Sequence, residues 1–136
     1  MGVKIKGEYL GNTKVKLTHE SGDEIMTCAP KDNRGDGSRF SPTDLTVGAL
    51  GACVLTIMAF YAEGNGIDFR GVKFEAVKEM KNSPRMIGKV SLNIYLPSNI
   101  PNEKRKNIEK AAFACPVKGS LSEQVEIVFN FIYGNK

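Results

Sequence analysis

Residues 3–10 (Val-Lys-Ile-Lys-Gly-Glu-Tyr-Leu) set apolar side chains against mostly charged ones, the period-two signature of a half-buried strand. Gly11-Asn12 marks a turn and the alternation resumes over residues 13–18, so the two runs predict a β-hairpin. Ser21-Gly22-Asp23 turns the chain again before a short strand over residues 24–28, giving an antiparallel meander. Over residues 29–41 the pattern dissolves into Gly, Asp and Asn, the composition of a loop.

At Ser41 the pattern changes kind. Proline follows the serine where the first helical turn needs no N–H, and Asp44 stands near the positive end of the coming helix. From Leu45 to Ala62 the chain runs 18 residues without a charge, until Gly64-Asn65-Gly66 stops it. The predicted helix covers residues 42–63. An apolar run of this length touches the lower limit of a membrane span. Its interior glycines and threonines, and the lack of a basic flank directly after it, favour the buried helix of a soluble protein. Gly48, Ala49, Gly51 and Ala52 make one side thin enough for another backbone to come close. A helix this apolar is hard to cover on all faces within one short chain, which predicts a homodimer burying its central helices together.

Alternation returns over residues 67–80 and 85–96, predicting two strands joined at Lys81-Asn-Ser-Pro84. Pro101-Asn102-Glu103 opens a helix to about Ala114 with Ile108, Ala111 and Ala112 on its apolar side. Cys115-Pro116 starts a short further helix, and residues 125–133, the most β-prone run, close the sheet. The order βββ–α–ββ–αα–β predicts an α+β fold, a single domain over residues 1–136 with helices on one face of a largely antiparallel sheet.

With 41% hydrophobic and 25% charged residues the chain is compositionally globular. A net charge of +4, with bases scattered among acids, gives no support to a nucleic-acid partner. The N-terminus lacks an apolar signal region, and its Met-Gly start has lysine where a myristoylation motif wants Ser or Thr. The expectation is a cytoplasmic protein without a membrane partner, in which unpaired cysteines stay reduced. Neither GxGxxG, a P-loop nor HExxH occurs, the three cysteines lack zinc-site spacing, and the single histidine, His19, reads as solvated surface.

The thiols remain. Cys28 ends an edge strand and reads as structural or incidental. Cys115 takes an N-cap position before Pro116, where free N–H groups lower a thiol pKa. Cys53 is mid-helix, so from local chemistry it reads as an inert core thiol unless a cation reaches it. Arg34 and Arg39, in the loop before the helix, read either as solvated charges or as that cation.

Two motifs carry a resemblance. Ser41-Pro-Thr-Asp-Leu45 with Ala49-Leu-Gly-Ala-Cys53 on one helix, and Ala114-Cys-Pro-Val-Lys-Gly-Ser-Leu121 further on, resemble the paired cysteine motifs of the OsmC/Ohr family of thiol peroxidases. The resemblance implies an OsmC-like fold, an intertwined homodimer and active sites at the subunit interface. It implies that Cys53 attacks a small hydroperoxide substrate and that Cys115 resolves the sulfenic acid as a disulfide. A dithiol reductant, such as a lipoyl-type donor, would then restore both thiols, with no metal, haem or flavin cofactor. In the family an arginine tied to a glutamate holds the thiolate. Arg34 or Arg39 would be that arginine here, Arg34 slightly preferred. The acid departs from the pattern of the best-known members, in which it directly follows the motif proline: that position is Thr43 here. Asp44, second after Pro42, resembles the acid of a more divergent branch and is one methylene shorter than the usual glutamate. That departure keeps a different class in view, a non-catalytic member that binds an apolar ligand or registers oxidation through the same thiols.

Overall fold

The computed structural model describes residues 2–134. The chain divides into an N-terminal unit up to Thr46 and a C-terminal unit from Val47 onward.

The N-terminal unit is the expected meander. Strands β1 (Ile5–Gly11), β2 (Lys14–His19) and β3 (Glu24–Cys28) form an antiparallel sheet in the order β1-β2-β3. The first turn is tight because Gly11, Asn12 and Thr13 all take positive φ, at 92°, 54° and 61°. His19 is exposed and its Nδ1 lies 2.8 Å from Ser21 Oγ, so it shapes the second turn as a surface residue. Residues 29–41 contain a single 3₁₀ turn, Lys31–Asn33, that ends on Arg34 in the left-handed region at φ 76°.

Helix α1 (Pro42–Gly64) begins where the Ser-Pro signal places it. Ser41 Oγ accepts from the Asp44 N–H at 3.1 Å and Asp44 Oδ2 accepts from the Ser41 N–H at 3.0 Å, a reciprocal capping box. Two of the first turn's orphan donors are thereby satisfied.

In the C-terminal unit β4 (Lys73–Lys81), β5 (Met86–Leu96) and β6 (Glu126–Tyr133) form a second sheet, β4-β5-β6. The fold is α+β as expected, but it has two three-stranded sheets in place of one. β4 pairs antiparallel with β5, whereas β6 runs parallel to it, from Lys89 opposite Glu126 to Leu96 opposite Tyr133. The cause is the crossover: α2 (Asn102–Ala112) and α3 (Pro116–Ser120) carry the chain back to the start of β5 before β6 begins. A second difference lies at residues 67–72, expected as strand. There Arg70 N–H bonds to Asp68 Oδ1 at 3.0 Å and Gly71 has φ 87°, so the side chain of Asp68 bends the backbone and pairing starts only at Lys73.

β5 buries Val90, Leu92, Ile94 and Leu96 on one face. Against this core α1 sets Val47, Leu50, Gly51, Val54, Met58 and Ala62, and α2 sets Ile108 and Ala112. Side chains such as Leu50, Val54 and Met58, wholly inaccessible, each contribute roughly 1.5–3 kcal/mol by leaving water. Gly51 is part of this face for a steric reason, since a Cβ there would run into the Phe74 ring.

Within the single chain α1 is not covered on every side, as expected for so apolar a helix in a short chain. It is the one described helix long and apolar enough to cross a membrane, yet only 33% of its most apolar window is buried. Ala49, Ala52, Thr56 and Phe60 form an exposed stripe at helical spacing. Of the expected thin side, Gly51 faces inward to Phe74, while Ala49 and Ala52 face outward.

Candidate functional site

Cys53 sits one residue before the buried Val54, on the margin between the core face of α1 and its exposed stripe. It is half-buried and packs against the core of the C-terminal unit. Cys115 has extended backbone (φ −67°, ψ 124°) and caps α3, with Pro116 as the first helical residue and the Lys118 N–H donating to Sγ at 3.4 Å. Its own carbonyl accepts from the Gly119 N–H at 3.0 Å, which closes the first turn.

The topology brings these two thiols together. Cys115 hydrogen-bonds to Cys53, and both are free thiols. The cap position leads one to expect a lowered Cys115 pKa; the structure reverses the sign. Burial, at 2% exposure, pushes the thiol up, and the hydrogen bond to Cys53 adds to it. Together they outweigh the N–H groups of Lys118 and Val117, which act the other way. Cys115 therefore holds its proton beside the Cys53 sulfur.

Beside Cys115 in sequence, Phe113 meets Phe129 edge to face at 4.8 Å, and Phe129 stacks on Phe131 at 6.0 Å. Lys118 Nζ lies 5.9 Å from the centre of the Phe113 ring. The C-terminal unit also has an open cleft of about 460 Å³ lined by Arg70, Tyr95, Pro97, Ser98 and Asn99, and it carries no thiol.

The remaining candidates belong to the N-terminal unit. Arg34 is exposed at the end of the 3₁₀ turn, and Arg39 is exposed shortly before the helix. Asp44 is half-buried within the capping box at the start of the helix that carries Cys53. Sequence reasoning missed the surroundings of Cys28. This thiol is fully buried, donates to Asp36 Oδ1 at 3.1 Å and lies 3.8 Å from Lys14 Nζ. The signal was available only in part: alternation places Lys14 and Cys28 on neighbouring strands, but the loop's return to them is not encoded in any periodicity. Among the described residues no three His, Cys, Asp or Glu side chains are grouped to hold a metal ion.

The OsmC model, described as OsmC-like protein, matches residues 35–130. A search of curated protein sequences finds no match. Among solved structures, a candidate osmotic stress induced and detoxification response protein from Psychrobacter arcticus 273-4 is 32% identical. It superposes with a TM-score of 0.91 over 96% of this chain and 97% of its own. An OsmC-like protein from Mycoplasma pneumoniae (16% identity, TM-score 0.81, 99% of both chains) has the same fold. So has an organic hydroperoxide resistance protein from Elizabethkingia anophelis (18% identity, TM-score 0.72, 99% and 97%). Matched across most of its length by the family model, and built on the same fold as these proteins, the chain belongs to the OsmC-like family.

Proposed function

We propose that this protein is a thiol peroxidase that reduces organic hydroperoxides, with hydrogen peroxide as a lesser substrate, in oxidative-stress defence. The observation that carries the reading is the contact between Cys53 and Cys115, one half-buried and the other buried with its thiol pKa raised. In the first step the Cys53 thiolate attacks the distal peroxide oxygen. The O–O bond breaks, the alkoxide takes a proton and leaves as alcohol, and Cys53 becomes a sulfenic acid. In the second step the Cys115 sulfur attacks that of Cys53, water leaves, and a disulfide forms. A dithiol of lipoyl type then reduces the disulfide. The resemblance assigns the activating cation to Arg34 or Arg39, with Asp44 as the acid that holds it, and residues 1–136 act as one domain of a cytoplasmic homodimer. Support for the dimer comes from uncovered apolar surface. Ile5 (63% exposed) and Tyr9 (66%) lie in the N-terminal unit, and Phe60 (67%) lies on α1.

The test is a thiol titration. One equivalent of cumene hydroperoxide at neutral pH should remove two of the three free thiols rapidly, and Cys115→Ser should stop at the sulfenic acid. No thiol loss over minutes would reject peroxidase activity and leave a ligand-binding or redox-registering protein.

A further inference from the structure

Asp36 lies midway along residues 29–41, and both of its carboxylate oxygens are engaged from within the N-terminal unit. Oδ1 accepts from the Cys28 thiol at 3.1 Å and from the Ser38 N–H at 2.9 Å; Oδ2 accepts from Lys14 Nζ at 3.0 Å. Lys14 and Cys28 are register partners across β2 and β3, and Thr13 Oγ1 lies 3.7 Å from the Cys28 sulfur. The neck of the loop is closed by backbone bonds, Cys28 N–H to Phe40 O at 3.1 Å and Ala29 N–H to Thr13 O at 3.3 Å. Within it, Gly35 backs onto the Ala29 carbonyl so closely that any Cβ would overlap it. Arg34, with φ 76°, is held left-handed, a conformation a non-glycine residue keeps only where its surroundings impose it. Such a closed, self-packed segment is an Ω-loop. Asp36, flanked by the two candidate arginines, pins it to the sheet through its side chain.

We propose that Asp36, gripped by Cys28 and Lys14, is a positioning residue that pins this loop so that Arg34 or Arg39 is presented to the reactive thiol in one conformation. The inference rests on the reading above, in which a loop arginine serves Cys53. It gives Cys28 a role outside the redox pair. Cys28 is a hydrogen-bond donor sealed from solvent, and a serine hydroxyl can replace it where an alanine methyl cannot.

Two readouts test it on the full-length protein, with circular dichroism confirming that each variant is folded. Limited trypsin digestion after Arg34 and Arg39 reports whether the loop is pinned. The pH midpoint of Cys53 alkylation by iodoacetamide, followed by mass spectrometry, reports whether pinning matters to the thiol and needs no peroxidase turnover. Asp36→Ala should raise the cleavage rate about tenfold, as expected when a local opening loses its tether. It should also move the Cys53 midpoint upward, as when a nearby cation is withdrawn. Cys28→Ala should change both in the same direction and Cys28→Ser should restore both. If Asp36→Ala fails to fold, the Cys28 pair and Lys14→Met carry the test. Wild-type cleavage in Asp36→Ala and Cys28→Ala overturns the pin, and faster cleavage with an unmoved midpoint overturns the positioning role. Arg34→Ala and Arg39→Ala separate the two levels. If neither moves the Cys53 midpoint, the parent reading fails and takes this inference with it. If one does while Asp36→Ala does not, this inference alone fails.

Discussion

Cys115 lies against Cys53 with its thiol pKa raised by burial first and by Cys53 second, and that asymmetry orders the reactivity of the two sulfurs. Burial makes ionising Cys115 costly, while Cys53 sits at the edge of the exposed stripe of α1. Iodoacetamide at pH 8 should therefore label Cys53 first, with Cys115 and Cys28 lagging by about tenfold or more, because the thiolate is the reacting species. Removing Cys53 by Cys53→Ala should lower the Cys115 pKa, since one of its raising causes is gone. Peptide mass spectrometry over a pH series measures both, and equal labelling of Cys53 and Cys115 would contradict the order.

Gly51 and Phe74 fix how closely the cysteine-bearing helix lies on the second sheet. A methyl group at position 51 has nowhere to go unless the Phe74 ring moves. Overpacking of this kind costs about 1–3 kcal/mol. Gly51→Ala should show that loss in urea unfolding, and Phe74→Leu in the same chain should recover a good part of it. An unchanged midpoint would mean that the ring relocates freely.

That contact also marks where sequence reading reached its limit. The run Gly48-Ala49-Leu50-Gly51-Ala52 announces close approach, but a helix apolar all round has no polar face to show its rotation. Hence Gly51 turned out to face the sheet and Ala52 the outside. The meander, the Ser41-Pro42 start of α1 and the Cys115-Pro116 cap were legible because each rests on local chemistry. Strand alternation showed that β6 exists, whereas its direction beside β5 depends on the length and path of α2 and α3, so the parallel pairing was not readable. For Cys115 the cap was legible and the sign of its pKa shift was not, because burial and Cys53 arrive only with the tertiary fold.

Alkaline stability should bear the mark of Tyr133. Its hydroxyl donates to Glu109 Oε2 at 2.8 Å, and burial, then the bond to that carboxylate, push its pKa up from 10.0, against the Arg105 guanidinium 4.1 Å over the ring. Cys115 is raised from 9.0 in the same unit. An acid whose folded pKa lies above its unfolded value has no effect below the unfolded value. Above it, the unfolded chain releases the proton that the folded chain retains, so stability falls. The melting temperature should therefore decline from about pH 9, and more steeply past pH 10, as the ordinary thiol and phenol values are crossed in turn. Tyr133→Phe should flatten the second part of the curve only. A wild-type slope in that variant would assign the loss to other groups.

Phe60 tests the proposed dimer. It is 67% exposed on a helix stripe otherwise made of Ala49, Ala52 and Thr56, small residues that let another helix approach. Sedimentation should give a dimer for the wild type, and Phe60→Glu should shift it toward monomer by placing a charge in apolar contact. A wild-type monomer at micromolar concentration would reject the assembly. An unaffected dimer would move the interface to another surface.

Asp44 has a structural duty that competes with the chemical one assigned to it by resemblance, and two substitutions separate them. Its carboxylate closes the capping box with Ser41 and places negative charge at the helix start. Asp44→Asn keeps an acceptor for the Ser41 N–H and loses the favourable charge, about 0.3–1 kcal/mol. Asp44→Ala loses both, roughly 1–2 kcal/mol in all. Stability should thus rank wild type, Asn, Ala. Peroxide reactivity should rank differently if the carboxylate also holds the activating arginine, because an amide offers that arginine no charge. Both variants should then slow Cys53 oxidation equally, by about tenfold or more, the scale of a lost charge-assisted contact. Neither should slow it further in a chain already lacking Arg34, or Arg39 if that is the partner. Should oxidation rates instead follow the stability ranking, or stay at the wild-type value, Asp44 serves the helix alone and the arginine is held by another group.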